Sequence, residues 1–187
     1  CIGDSAVRLT LKAFGEVLKK QNDLRWRIEH AQMVNASDLP LFAKYSILPS
    51  VQPTHGISDK KWAVNKVGEE RLNSTYLVNT LLKQNGIIAF GTDFPVEEIN
   101  PIKTFYNAIY RDTAINYLNK ETVIREEALK AMTFWAAMAN LQENNRGSLE
   151  IGKYADFVIL NRDIMSVSNE EILNTEVINT FIGGVRY

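Results

Sequence analysis

The sequence predicts an α/β fold assembled from successive strand–helix units, and three observations carry that prediction. Short apolar runs alternate with amphipathic segments of helical period. Two of the runs end in residues able to bind a metal ion, His30 and Asp93, as strands of a parallel sheet do when they deliver side chains to one face. The chain of 187 residues is 45% hydrophobic, which suits one buried core in one domain or in a domain with a small appendage.

Each element follows from local pattern. Val7, Leu11, Phe14 and Leu18 recur at helical spacing and Gln21, Asn22 and Asp23 end the run, so a first helix covers Ser5 to Lys20 with Asp4 as its cap. Leu24 to Glu29 reads as a strand. A loop through Asn35 leads to a short helix from Ser37 to Tyr45, capped by Ser37 or Asp38, and Ile47 to Gln52 forms a second strand. Pro53, Thr54, His55 and Gly56 make the next strand-to-loop junction. The loop carries Trp62 before a helix from Glu69 to Gln84, which Gly86 stops as it opens a strand to Phe90. Asn100 and Pro101 start another helix that runs to Tyr110, a polar stretch covers Arg111 to Lys120, and helical segments follow at Glu126 to Met132 and Phe134 to Leu141. Beyond Gly147 the pattern changes, because Ala155 to Leu160 and Val177 to Ile182 are strand-like with no long amphipathic helix between them and Gly183 and Gly184 supply a turn. The boundary lies there, giving residues 1–146 and 147–187.

Composition removes several classes of function. With 21 basic and 22 acidic residues the formal charge is −1, and no basic stripe with interleaved aromatics recommends a nucleic acid partner. Lys19 with Lys20, and Lys60 with Lys61, read as solvated helix faces. No apolar run approaches the ~20 residues that cross a bilayer. Cys1 is the single cysteine, so neither an intrachain disulfide nor a cysteine-based zinc knuckle is available, which is compatible with a cytoplasmic location. Cys1, Ile2, Gly3 and Asp4 resemble a strand end entering a helix, so the chain is expected to begin within a larger protein.

A carboxylate at the tip of a buried strand is costly unless something pairs with it, and in a parallel α/β barrel all strand tips share the face where chemistry occurs. His30 and Asp93 can therefore meet at one ion, which points to a metal-dependent hydrolase. From the residues alone two readings stay open at each position. His30 is a metal ligand or a hydrogen-bonded structural histidine, Asp93 is a ligand and base or a turn cap, and His55 contacts a substrate carbonyl or sits idle in a loop. Gln52 and Trp62 line a pocket or pack. Glu29 alternates to the other side of its strand and pairs with a helix there, and Arg71 is a solvated or ion-paired helix residue.

Five segments resemble the amidohydrolase superfamily, specifically its N-substituted formamide deformylase-like branch. They are Ile2 to Ala6, Arg27 to Gln32, Ser50 to His55, Gly91 to Val96 and Gly147 to Phe157, in the family's order and across nearly the whole chain. The resemblance implies the C-terminal half of a (β/α)8 TIM-like barrel plus part of a small β-sandwich. Strands six, seven and eight would lie in this chain, with the tip of strand five at its start. It also implies that His30 is the strand-six metal ligand and that Asp93 is the strand-eight ligand and the base for the hydrolytic water. His55 would be a substrate-binding residue after strand seven. The ion would be divalent, zinc ahead of iron or manganese, and metal-bound hydroxide would cleave a C–N bond in a small amide, formamide or cyclic amide. Further ligands of the family lie upstream of Cys1, so the isolated chain is expected to be nearly inactive. Unpaired sheet edges are expected to drive homo-oligomerisation or association with the missing N-terminal half. The rival reading is a non-catalytic α/β binding or structural module whose polar strand ends serve packing.

Overall fold

Parallel strands need long crossovers, and in this chain every crossover carries helix. The computed structural model describes residues 1–111 and 120–187, so most of the polar stretch expected between Arg111 and Lys120 lies outside the described residues. Helix α1 (Asp4–Leu18) precedes strand β1 (Arg27–Glu29), and α2 (Leu39–Tyr45) leads to β2 (Leu48–Val51). Four short helices, α3 (His55–Ser58), α4 (Lys60–Val67), α5 (Glu69–Leu72) and α6 (Val78–Asn85), connect β2 to β3 (Ala89–Phe90). These strands form a parallel sheet in the order β1-β2-β3, with Arg27 opposite Leu48 and Ser50 opposite Ala89. Helices α7 (Pro101–Ile109), α8 (Arg125–Met132) and α9 (Phe134–Ala139) follow. A second sheet, antiparallel in the order β4-β5-β6, is built from β4 (Phe157–Leu160), β5 (Val177–Ile182) and β6 (Val185–Arg186), with the single-turn helix α10 (Asn169–Ile172) between β4 and β5.

The core forms because the apolar stripes of these helices close on the parallel sheet. Val7 and Leu11 of α1, Phe42 of α2, Leu81 of α6 and Phe105 of α7 are fully buried with Ile28 of β1 and with Ile47 and Ile88 beside β2 and β3. Each such side chain contributes about 1.5–3 kcal/mol relative to exposure. Ile164 and Ile172, from the segment between β4 and β5, enter the same core. That segment is held by Arg125 of α8, whose guanidinium donates to the carbonyls of Ile164 (2.8 Å) and Val167 (2.7 Å) and to Asn169 Oδ1 (2.8 Å). The antiparallel sheet itself is thinly covered. Phe157 and Phe181 stack across β4 and β5 with centroids 4.5 Å apart, while Val158, Ile159, Val177 and Ile178 stay exposed.

Several elements differ from the sequence expectation for identifiable reasons. The first strand starts at Arg27 instead of Leu24, because Arg25 adopts a left-handed φ of 57° and turns its guanidinium to Glu143 and the Met138 carbonyl. The helix expected from Glu69 to Gln84 breaks between α5 and α6. There Thr75 bridges Met33 and Tyr76, at φ 53°, gives its N–H to the Gln32 carbonyl. The stretch expected as a loop around Trp62 is helical, as α3 and α4. Asp4 is the first residue of α1 instead of its cap; it accepts from Ser5 N and from Arg71 Nη2, each at 2.9 Å. Asp38 sits at the cap of α2 but its side chain is turned to Arg8, whose Nε reaches both carboxylate oxygens at 3.1 and 2.8 Å. Among the described residues Glu29 pairs with Arg27 on its own strand, where a helix partner was expected.

Gly147 shows how tightly α9 meets the return of the chain. It has a φ of 92°, and a Cβ there would lie 2.7 Å from Ala137 Cβ and 3.0 Å from Phe134 Cα. We expect Gly147→Ala to destabilise the protein by about 1–3 kcal/mol or more, read as the loss in a denaturant melt; an unchanged midpoint would contradict this packing. The Arg71 hydrogen bond, chiefly, holds the Asp4 carboxyl below the usual carboxylate range. A depressed carboxylate stabilises the fold above its unfolded pKa and loses that contribution as pH falls through its folded pKa. Arg71→Gln is therefore expected to lower the melting temperature slightly at neutral pH, and the difference from wild type is expected to close in acid below the ordinary carboxylate range.

Candidate metal centre

The register of the parallel sheet extends past its last residues. His30 N–H donates to the Ser50 carbonyl at 2.8 Å and Gly91 N–H donates to the Val51 carbonyl at 3.1 Å. The residues that follow, His30 after β1, Gln52 to His55 after β2 and Gly91 to Asp93 after β3, consequently emerge at one end of the sheet. This is the carboxyl end, where parallel α/β sheets bind ligands.

Three side chains converge there. One ligand atom from each of His30, His55 and Asp93 lies within 4.8 Å of the others. His55 Nε2 is 3.6 Å from Asp93 Oδ2, and the His30 and His55 rings stack with centroids 6.1 Å apart at an interplanar angle of 19°. His30 is half-buried, His55 is buried and Asp93 is half-buried. His55 Nε2 is enclosed without a hydrogen-bond partner among the described residues. The 3.6 Å approach to Asp93 is an ion pair only if the ring is protonated, and it is too long for a hydrogen bond.

Backbone conformation marks the same residues. His30 and Asp93 adopt φ values of 67° and 61°, and Ala31 follows at 39°. For residues other than glycine this left-handed region costs about 1–3 kcal/mol and persists where the surroundings over-determine it. Around Asp93 the loop is held by Val96 N–H donating to the Asp93 carbonyl at 2.8 Å and by Phe94 N–H donating to Thr92 Oγ1 at 3.3 Å. The His55 turn is held from outside. Asn107 of α7 donates to Thr54 Oγ1 at 3.2 Å, and Ser58 Oγ bonds the Glu97 carboxylate in the loop after Asp93. Gly56 lets this turn lie against Tyr76, where a Cβ would be 3.3 Å from the Tyr76 Cβ and Cγ.

Beside His30 and His55 is a narrow cleft of about 10 Å³, room for about one water molecule, bordered by His30, Gln32, Gln52, His55 and Tyr76. Two of its bordering residues, Gln32 and Tyr76, form with Asp59 a closed polar triangle that sequence reasoning missed. Asp59 Oδ2 accepts from Tyr76 OH at 2.8 Å and from Gln32 Nε2 at 3.1 Å, and Gln32 Nε2 also donates to Tyr76 OH at 3.0 Å. Burial raises the Asp59 carboxyl above the ordinary range, although the Tyr76 hydrogen bond pulls it back. Asp59 and Tyr76 sit in helical and turn segments whose pattern says nothing of a site, so only their spatial neighbours reveal them. Trp62 lies on α4 and is largely exposed.

The set fits a divalent cation. The imidazole of His30 and the carboxylate of Asp93 are nitrogen and oxygen donors of the kind such ions take, and His55 sets a second imidazole beside them. Two bonds of ~2.1 Å laid end to end span ~4.2 Å, so donors at most 4.8 Å apart need only a small inward rotation to share one ion.

Comparison with known proteins agrees with this chemistry. The model of the amidohydrolase family matches residues 1–186. Protein LONG AFTER FAR-RED 3 of Arabidopsis thaliana is 35% identical over 191 residues, covering 98% of this chain and 32% of that protein. N-substituted formamide deformylase of Arthrobacter pascens is 25% identical over 191 residues, covering 98% of this chain and 35% of the other. The crystal structure of an uncharacterized metal-dependent hydrolase from Pyrococcus furiosus superposes with a TM-score of 0.77 at 36% identity, over 89% of this chain and 33% of that one. The chain thus spans about a third of the length of the curated relatives it matches. No described helix is long and apolar enough to cross a membrane.

Because burying an unpartnered nitrogen costs about 1–3 kcal/mol, His55→Leu is expected to leave the chelator-treated protein as stable as wild type, or more stable. Thermal melts in excess chelator above the imidazole range measure this, and a clear loss of stability would show that His55 is held for packing.

Proposed function

The chain belongs to the amidohydrolase family, and we propose that it carries part of the site of a metal-dependent hydrolase that cleaves a C–N bond in a small amide. The observation that carries the reading is the convergence of His30, His55 and Asp93 within 4.8 Å at the carboxyl end of a parallel sheet. His30 and Asp93 would hold the ion, with zinc the best match to imidazole and carboxylate donors together. The bound cation would polarise the substrate carbonyl and lower the pKa of a water towards ~7.

The chain's own residues then divide the work. Asp93, held at φ 61° with Oδ2 facing His55, would accept the proton of the attacking water and later pass it to the leaving nitrogen. His55 Nε2 would donate to the carbonyl oxygen as charge develops on it, a placement supported by its burial without another partner. The polar triangle of Gln32, Asp59 and Tyr76 would orient the remainder of the substrate. Within the family the finer reading is the formamide deformylase-like branch, supported by the 25% identity to the Arthrobacter pascens enzyme, so a formamide is the first substrate to try.

The same reading extends to architecture. The three parallel strands would be strands six to eight of a (β/α)8 barrel, and residues 147–187 would form part of a small β-sandwich. In support, Met33 N–H donates to the Ile2 carbonyl at 3.0 Å, so the first residues run beside the end of β1 on the side away from β2, where a fifth strand would end. The uncovered apolar side chains of the antiparallel sheet would meet the rest of the protein or a second copy.

The test is elemental analysis and a formamide panel on the full-length protein. Stoichiometric zinc or another divalent ion with turnover is expected. His30→Gln and Asp93→Asn are expected to lose both metal and activity, and His55→Gln to keep the metal while kcat falls by about 10²–10³. A purified protein with no bound metal and no turnover would favour a non-catalytic binding module instead. The isolated chain of 187 residues is expected to turn over little even when zinc is supplied.

A further inference from the structure

His30 contributes a ring nitrogen to the cluster with His55 and Asp93, and a nitrogen already occupied by a hydrogen bond is not free to bind an ion. Nδ1 lies 3.0 Å from Gln52 Oε1. A carbonyl oxygen only accepts, so the proton of a neutral ring making this bond is on Nδ1 and the lone pair is on Nε2. The contact is built into the fold. Gln52 directly follows β2, and the ladder bond from His30 N–H to the Ser50 carbonyl sets the end of β1 beside the end of β2. The ring lies nearly parallel to that of His55, at 19° with centroids 6.1 Å apart.

We propose that Gln52 is a positioning residue that selects the Nδ1–H tautomer of His30 and so keeps Nε2 free to bind a divalent cation. This rests on the reading of His30 as a metal ligand. Ligating histidines commonly give their second N–H to such an acceptor, and losing it weakens metal binding. The amide also has an advantage over a carboxylate here. Asp93 already supplies negative charge to the cluster and Asp59 stands next to the cleft. Gln52 accepts the bond without adding charge.

The experiment uses the full-length protein and variants Gln52→Leu, Gln52→Met and Gln52→Glu, with far-UV circular dichroism and melting temperature as folding controls. Nitrogen-15 NMR of the His30 ring in chelator, well above the ordinary imidazole range of ~6.5, is expected to show a protonated Nδ1 and a bare Nε2 in wild type. Gln52→Leu or Gln52→Met is expected to shift the proton towards Nε2. Zn²⁺ affinity by calorimetry is expected to fall about 10–100-fold in the two apolar variants and to recover most of that in Gln52→Glu, which restores an acceptor. A wild-type ring protonated on Nε2 would overturn the proposal. So would a folded apolar variant that binds Zn²⁺ as tightly as wild type. Failure of the wild type to bind Zn²⁺ would sink the metal reading itself, and the tautomer measurement would still decide whether Gln52 sets the ring.

Discussion

The parallel register of β1, β2 and β3 is the constraint on which the rest of the structure depends. Two backbone bonds, from His30 N–H to the Ser50 carbonyl and from Gly91 N–H to the Val51 carbonyl, align three strand ends. A slip of one residue would turn His30 to the other face of the sheet, where Arg27 and Glu29 are exposed, and would part it from Gln52. The helical crossovers exist to make that register possible, and the core residues Ile28, Ile47, Leu81 and Ile88 hold it.

Stability and site chemistry pull against each other at this end of the sheet. His30, Ala31 and Asp93 hold left-handed backbone conformations, and His55 buries a nitrogen without a hydrogen bond among the described residues. Such features persist when the surrounding packing outweighs their cost. Here Asn107 fastens Thr54 from α7, Ser58 ties α3 to Glu97, and the Gln32, Asp59 and Tyr76 triangle stands beside the cleft. A divalent cation held by His30 and Asp93, as proposed, would offset part of that cost.

The antiparallel sheet obeys a different logic. Its cross-strand pairs, such as Phe157 on Phe181, and the turn at Gly183 and Gly184 give it local order. Its connection instead delivers Ile164 and Ile172 into the main core, with Arg125 fixing the segment between. The sheet is thereby tied to the helices even though many of its own apolar side chains remain uncovered.

Much of this was readable in the sequence, because it depends on neighbours along the chain. The period of Val7, Leu11 and Leu18, the cap and proline at Asn100 and Pro101, and the left-handed stop at Gly86 are local effects, and each element stands near where its pattern places it. The strand ends at His30 and Asp93 were legible for the same reason. Tertiary contacts decided the rest. The break between α5 and α6 comes from Thr75 and Tyr76 bonding to Met33 and Gln32, more than forty residues earlier in the chain. The turning of Asp38 to Arg8, the burial of Asp59 against Tyr76, and the approach of His55 Nε2 to Asp93 are likewise set by partners distant in sequence. Residue type and periodicity specify what a segment prefers and what chemistry it carries. Only the closing of the sheet and its crossovers fixes which side chains meet, because those distances are properties of the register and not of any one segment.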